Sequence, residues 1–196
     1  MIPASEALQR LRDGNYRFAH SEENNLQSVN QARRAELVDG QSPFAVIVAC
    51  SDSRVPVELL FDQGLGDLFV IRVAGNIVAP SQIGSVEFAA AQLGTKLVVV
   101  LGHSNCGAVE ATLKELSKQQ ETRSPNLQSI VNRIRPAVEL LDNPSLHTAV
   151  VANVRNSVER LRGRSKVLTA LIESGELPVV GAQYSIESGV VDFFDD

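Results

Sequence analysis

The chain has 196 residues, 44% hydrophobic and 21% charged, enough apolar material for one sizeable core in a single domain. A formal net charge of −5 argues against nucleic acid as the main partner, and no apolar run reaches the roughly 18 residues that a membrane span needs. Two cysteines are too few for a disulfide framework, and the charged opening MIPASEALQRLRDG does not read as a signal peptide, so a reduced cytoplasmic protein is expected.

Residues 4–20 predict an amphipathic helix: Ala7, Leu8, Leu11 and Phe18 recur at helical spacing between Arg10, Arg12, Asp13 and Arg17. Gly14 weakens that helix by about 1 kcal/mol relative to alanine. The polar stretch 21–31 predicts a loop, and 31–37 a short helix stopped by Asp39 and Gly40. From Gln41 the character changes. FAVIVA (44–49) reads as a buried strand, 55–61 as a short helix, and LFVIRVA (68–74) as a second strand turned by Gly75 and Asn76. Ser81 caps an expected helix running to Leu93, with Gly94 as its stop. KLVVVLG (96–102) is a third strand, followed by a helix over 107–118 and a polar loop over 121–126. Helices are expected over 127–141 and 145–162, then a strand over 177–186. Glu187, Ser188 and Gly189 form a hairpin turn into a last strand over 190–194.

Strands alternating with helices imply an α/β fold with a mostly parallel central sheet and helices on both faces. The last hairpin adds an antiparallel edge strand. Residues 1–40 read as an N-terminal helical arm and linker, and 41–196 as a zinc-binding α/β domain, a single domain overall.

Cys50 and His103 both fall at strand exits, where open parallel sheets place their sites. Zinc takes thiolate and imidazole ligands, and catalytic zinc keeps one position open. Cys50, His103 and Cys106 supply three such ligands, and the chain holds no further cysteine for a closed structural site. Two thiolates cancel the charge of zinc, so water there is less acidic than on a three-histidine zinc. Asp52, kept ionised by Arg54, would orient the resulting hydroxide. Released by Arg54, the same carboxylate is able to become the fourth ligand of a closed state. Plainer readings stand beside these. A lone cysteine after a strand is usually inert core, SDSR is by default a solvated turn, and a Cys50–Cys106 disulfide is the chemical rival. His20 and His147 read as surface or helix histidines. Spacing alone leads to a zinc hydrolase or lyase of unassigned substrate.

With CSDSRVPVE, GDLFVIRVAGN, GSVEFAA and GHSNCGAV laid out, the sequence resembles the β-class carbonic anhydrases, from ALQRLRDGNYRF to GAQYSIESGVV. The resemblance implies one Zn2+ per subunit on Cys50, His103 and Cys106, with Asp52 and Arg54 as the catalytic dyad. It implies reversible hydration of carbon dioxide to bicarbonate and a proton by hydroxide on zinc. Gln41, Phe69, Gly107 and Tyr184 match substrate-pocket positions, the two aromatics often lying across a dimer interface. The family forms dimers or tetramers, and its N-terminal arm usually grips the neighbouring subunit. One departure stands out. The family's inhibitory bicarbonate site uses a tryptophan where this chain has Ile47, so that site is incomplete although Arg72 and Tyr184 are present. A carbonyl sulfide or carbon disulfide hydrolase on the same scaffold is the alternative, and a non-catalytic zinc protein a more remote one.

Overall fold

Residues 2–23, 30–118 and 124–194 are described by the structure, a computed structural model. Residues 24–29 and 121–123 of the polar loops expected over 21–31 and 121–126 lie outside these residues, while Pro125 and Asn126 open a helix rather than belonging to a loop. Four apolar runs make the parallel part of one sheet: β1 (Ala45–Ala49), β2 (Leu68–Arg72), β3 (Val98–His103) and β4 (Val179–Tyr184). A short antiparallel strand, β5 (Val191–Phe193), pairs with β4, giving the order β2-β1-β3-β4-β5. Every residue of β1 and β3 is buried, as near-continuous Val and Ile runs require when helices cover both faces.

The pleat splits these strands between two cores. Ile47, Ala49, Val99 and Leu101 face α1 (Ala4–Ala19) and α3 (Val57–Leu60). Val46, Val48, Val98 and Val100 face α4 (Pro80–Gln92), α7 (Leu146–Gly163) and α8 (Lys166–Glu173). A third cluster, at the carboxyl end of the sheet, packs α5 (Gly107–Leu116), α6 (Pro125–Val138) and the start of α7 around Cys50 and Cys106. Outside these layers lies α2 (Gln31–Glu36).

Gly14 does not interrupt α1. It is the point of closest approach to α3: a Cβ there would stand 1.8 Å from the Phe61 carbonyl oxygen. One residue on, buried Asn15 donates to the carbonyls of Leu60 and Gly189 and accepts from the Val191 N–H. The first helix is thereby tied to the last hairpin of its own chain. Two expectations need correcting. Ser81 is not the cap of α4, because Pro80 opens that helix with its preset φ and the Gln82 side chain accepts from the Ala79 N–H at 3.3 Å. No helix was expected over 166–173, yet Ser165 caps α8 by accepting from the Leu168 N–H at 3.1 Å.

Because β1 to β4 run parallel, their carboxyl ends lie together. Cys50 follows β1, Arg72 ends β2, His103 ends β3, and Tyr184 ends β4 in register with His103.

Candidate metal centre

Cys50 leaves β1 into a loop that Arg72 holds from the neighbouring strand. Its guanidinium donates to the Cys50 carbonyl at 3.0 Å and to the Asp52 carbonyl at 2.6 Å. The second motif turns on Asn105, whose φ of +56° lies in the left-handed region that asparagine tolerates better than most residues. That reversal carries the chain from His103 at the end of β3 to Cys106 at the start of α5. The ligating atoms of Cys50, His103 and Cys106 all lie within 4.8 Å of one another, and all three residues are buried.

His103 shows what the cluster is for. Its Nδ1 lies 2.8 Å from the Ser104 carbonyl oxygen, which can only accept, so the proton belongs on Nδ1. The bare Nε2 is buried without a hydrogen-bond partner. It faces the two sulfurs, with Asp52 Oδ2 at 3.9 Å. An imidazole lone pair and two buried sulfurs, with a part-exposed carboxylate beside them, are placed to hold a metal ion. Both cysteines are free, so the disulfide alternative is not what the structure adopts. As bare thiols they diverge: a hydrogen bond from Cys106 holds the Cys50 thiol below its ordinary value, and the same contact, with burial, pushes Cys106 up. Two thiolates and one imidazole suit a soft divalent metal with tetrahedral preference.

The wall behind Cys50 is built by α7. The Gly75 N–H donates to Cys50 Sγ at 3.3 Å, from a tight turn over Ala74–Asn76. Asn153 donates to the Gly75 carbonyl at 2.8 Å, Ser157 to the Asn76 carbonyl at 3.0 Å, and Arg160 to the Val78 carbonyl at 3.0 Å. Gly75 itself has φ +70°, and a Cβ there would press on Ile134 at 2.8 Å.

Asp52 and Arg54 make more than a solvated ion pair. Arg54 Nε and Nη2 grip the two carboxylate oxygens at 2.9 and 2.8 Å, and its backbone N–H adds a third bond at 3.0 Å. Arg54 Nη2 also donates to the Asn105 carbonyl at 3.2 Å, joining the two motifs. The guanidinium's hydrogen bonds hold Asp52 well below the usual carboxylate range.

The family model described as carbonic anhydrase matches residues 45–191, which span both motifs. The chain belongs to the β-class carbonic anhydrases. A curated carbonic anhydrase of Mycolicibacterium smegmatis is 39% identical over 189 residues, covering 95% of this chain and 91% of its own. Carbonic anhydrase 2 of Mycobacterium tuberculosis is 38% identical over 187 residues, covering 93% and 89%. Among solved structures, the β-carbonic anhydrase CcaA superposes with a TM-score of 0.74 at 29% identity, covering 97% of this chain and 86% of that one. The Coccomyxa β-carbonic anhydrase, in complex with acetazolamide, does so with 0.70 at 26% identity, covering 81% and 74%.

The pocket positions that a β-class carbonic anhydrase implies are not all at this cluster. Gly107 adjoins Cys106 and is open: a Cβ there would meet nothing within 4 Å. Tyr184 ends β4 beside His103 in register, but its ring is buried in the α1 side of the core, 6.5 Å from the ring of Phe18. Phe69 pairs with Val46, four residues before Cys50 and so about 13 Å back along the strand. Its ring lies 6.2 Å from that of Phe88. Gln41 precedes β1 and lines a surface hollow with Leu37, Asp39 and Gly66. Within one chain, therefore, Gln41 and Phe69 lie toward the opposite end of the sheet from Cys50. His20 stacks on Tyr16 at 4.1 Å, and His147 Nδ1 meets Gln183 at 3.1 Å, so each has a partner of its own. Among the described residues no helix is long and apolar enough to cross a membrane.

Sequence reasoning missed the residues that act through main-chain carbonyls or on the second motif's loop: Asn153, Ser157 and Glu187. Glu187 accepts from Asn105 Nδ2 at 2.9 Å and from the hydroxyls of Ser104 and Ser185 at 2.9 and 3.2 Å. Its own backbone N–H and these donors hold it below the ordinary carboxylate range.

Proposed function

We propose that this chain is a zinc-dependent carbonic anhydrase interconverting carbon dioxide and water with bicarbonate and a proton. The observation that carries this reading is the meeting of Cys50, His103 and Cys106 beside an Arg54-paired Asp52. It does so in a chain 38–39% identical to curated carbonic anhydrases over nearly its whole length. Cys50 Sγ, His103 Nε2 and Cys106 Sγ would hold the zinc, with the two thiolates cancelling its charge. What zinc supplies when bound is activation of water as a nucleophile near neutral pH.

The chain's own residues supply orientation. Asp52, fixed as an anion by Arg54, is a pure acceptor, so it favours an oxygen nucleophile that presents an O–H to it. That hydrogen bond turns the nucleophile's lone pair toward the substrate. The open side of Gly107 leaves room for a small linear molecule against the backbone. Freed from Arg54, Asp52 would serve as fourth ligand of a closed state. Gln41 and Phe69 would act from a second copy of the chain, which makes a dimer the working unit and a tetramer a pairing of dimers. Since both thiols must stay reduced, the cytoplasm suits the site.

Stopped-flow carbon dioxide hydration by the zinc-loaded protein, with carbonyl sulfide and carbon disulfide assayed on the same preparation, tests the substrate. Turnover of either sulfur compound without carbon dioxide hydration overturns the reading. Cys50→Ser and His103→Ala are expected to lose zinc and activity together, and a full zinc complement in either sinks the ligand assignment. Asp52→Asn is expected to keep zinc and lose turnover; a wild-type rate there removes Asp52 from the mechanism.

A further inference from the structure

We propose that Glu187, in the turn between β4 and β5, is a positioning residue that sets the His103–Cys106 loop and, through it, Arg54. This rests on the zinc enzyme reading above. Glu187 Oε1 accepts from Asn105 Nδ2 at 2.9 Å, and Oε2 from the hydroxyls of Ser104 at 2.9 Å and Ser185 at 3.2 Å. The same hairpin reaches back twice more: the Ile186 N–H donates to Ser104 Oγ at 3.0 Å, and the Ser104 N–H donates to the Tyr184 carbonyl at 2.9 Å. Residues 104 and 105 are thus stitched to 184–187 through side chain and main chain alike.

Those two residues each hold one functional group. The Ser104 carbonyl accepts from His103 Nδ1 and so decides which ring nitrogen is left bare for the metal. The Asn105 carbonyl accepts from Arg54 Nη2, the same nitrogen that grips Asp52 Oδ2. Asn105 turns the chain at φ +56°, a conformation asparagine tolerates well, and its position is fixed from two sides, by Arg54 at its carbonyl and by Glu187 at its amide. Glu187 is exposed, so its carboxylate contributes by geometry rather than by burial. One acidic side chain in the last turn of the sheet therefore aligns the histidine ligand and the arginine of the dyad together.

The test uses the full chain loaded with zinc and, in parallel, with cobalt(II), whose visible absorption reports ligand geometry. Glu187→Ala should keep its metal, shift the cobalt bands, and lower kcat roughly 10–100-fold while KM stays within about twofold. Glu187→Gln, which keeps the length and one acceptor oxygen, should fall between wild type and Glu187→Ala in both readouts. Asn105→Gly removes the amide while easing the backbone, and combined with Glu187→Ala it should cost no more than Glu187→Ala alone. Unshifted cobalt bands with wild-type kcat in Glu187→Ala overturn the proposal even if its Tm falls, because that is what a merely structural tie would give. Should Glu187→Ala not fold, the same two readouts on Glu187→Gln decide. If the wild-type protein binds cobalt but hydrates no carbon dioxide, the enzyme reading fails by itself, and shifted bands in Glu187→Ala still support the positioning role.

Discussion

Tyr184 lies at the end of β4 with only 5% of its surface exposed, and burial, then the charge of Glu187, pushes its hydroxyl above the ordinary phenol value. The folded chain therefore holds that proton more tightly than the unfolded chain. The resulting stability is fully present below about pH 10, the value of a free tyrosine, and is lost as pH rises through the higher folded value. Tyr184→Phe should flatten this alkaline limb in urea denaturation run across a pH series; an unchanged limb assigns the loss to another group. Asp52 behaves in the opposite sense. Its depressed value gives stability that is present above about pH 4 and lost only as pH falls further, so near neutrality it stays ionised. Cys50, Asp52, Arg54, His103 and Cys106 are all legible in the sequence because each side chain type has its own chemistry and stands at a strand exit. Arg72 and Asn153 are not legible in their observed roles. They bind main-chain carbonyls, which every residue offers, so nothing in the sequence marks the receiving end.

Gly14 gives the same lesson for a whole helix. Propensity treats it as a weak point worth about 1 kcal/mol, whereas in the fold it is the contact that lets α1 lie against the last turn of α3. Gly14→Ala should therefore destabilise by about 1–3 kcal/mol despite better propensity, since its Cβ would have to displace a backbone oxygen. In thermal unfolding that is a drop of several degrees, at roughly 2–4 °C per kcal/mol for a chain of this size. A Tm at or above wild type would mean that α1 does not seat on α3. The strands were the most legible elements, because runs such as AVIVA and VVVLGH bury both faces and permit no other placement in a covered parallel sheet. α8 was overlooked for a local reason. Gly163 marks the end of α7 and Ser165 already caps the next helix, so the two helices abut with no polar loop between them to announce a second one.

For the whole molecule, alternation of strands and helices was enough to predict a parallel sheet with one antiparallel edge, and the observed order agrees. What alternation cannot tell is which end of a strand a pocket residue serves, or in which copy. Gln41 and Phe69 belong to the proposed pocket by resemblance yet lie toward the far end of their own sheet. If they act from a second copy, Gln41→Ala and Asp52→Asn chains, each impaired alone, should complement when mixed. Random pairing in a two-fold dimer would restore about a quarter of wild-type activity, because half the dimers carry one intact site of two. No recovery after verified subunit exchange would confine Gln41 to its own chain.

The sheet order also fixes a timetable. Strands β1 to β3 and all three proposed ligands are synthesised first, while β4, which flanks His103, and the turn bearing Glu187 come much later. At 5–20 residues per second, the stretch from Cys106 to Glu187 takes roughly 4–16 s to translate. Throughout that window the nascent chain carries two thiols and an imidazole whose strand has β1 on one side but not yet β4 on the other, open to oxidation and to any passing soft metal. The site reaches its final geometry only when the hairpin closes, so its metal is best acquired, or corrected, after nearly all of the chain has left the ribosome.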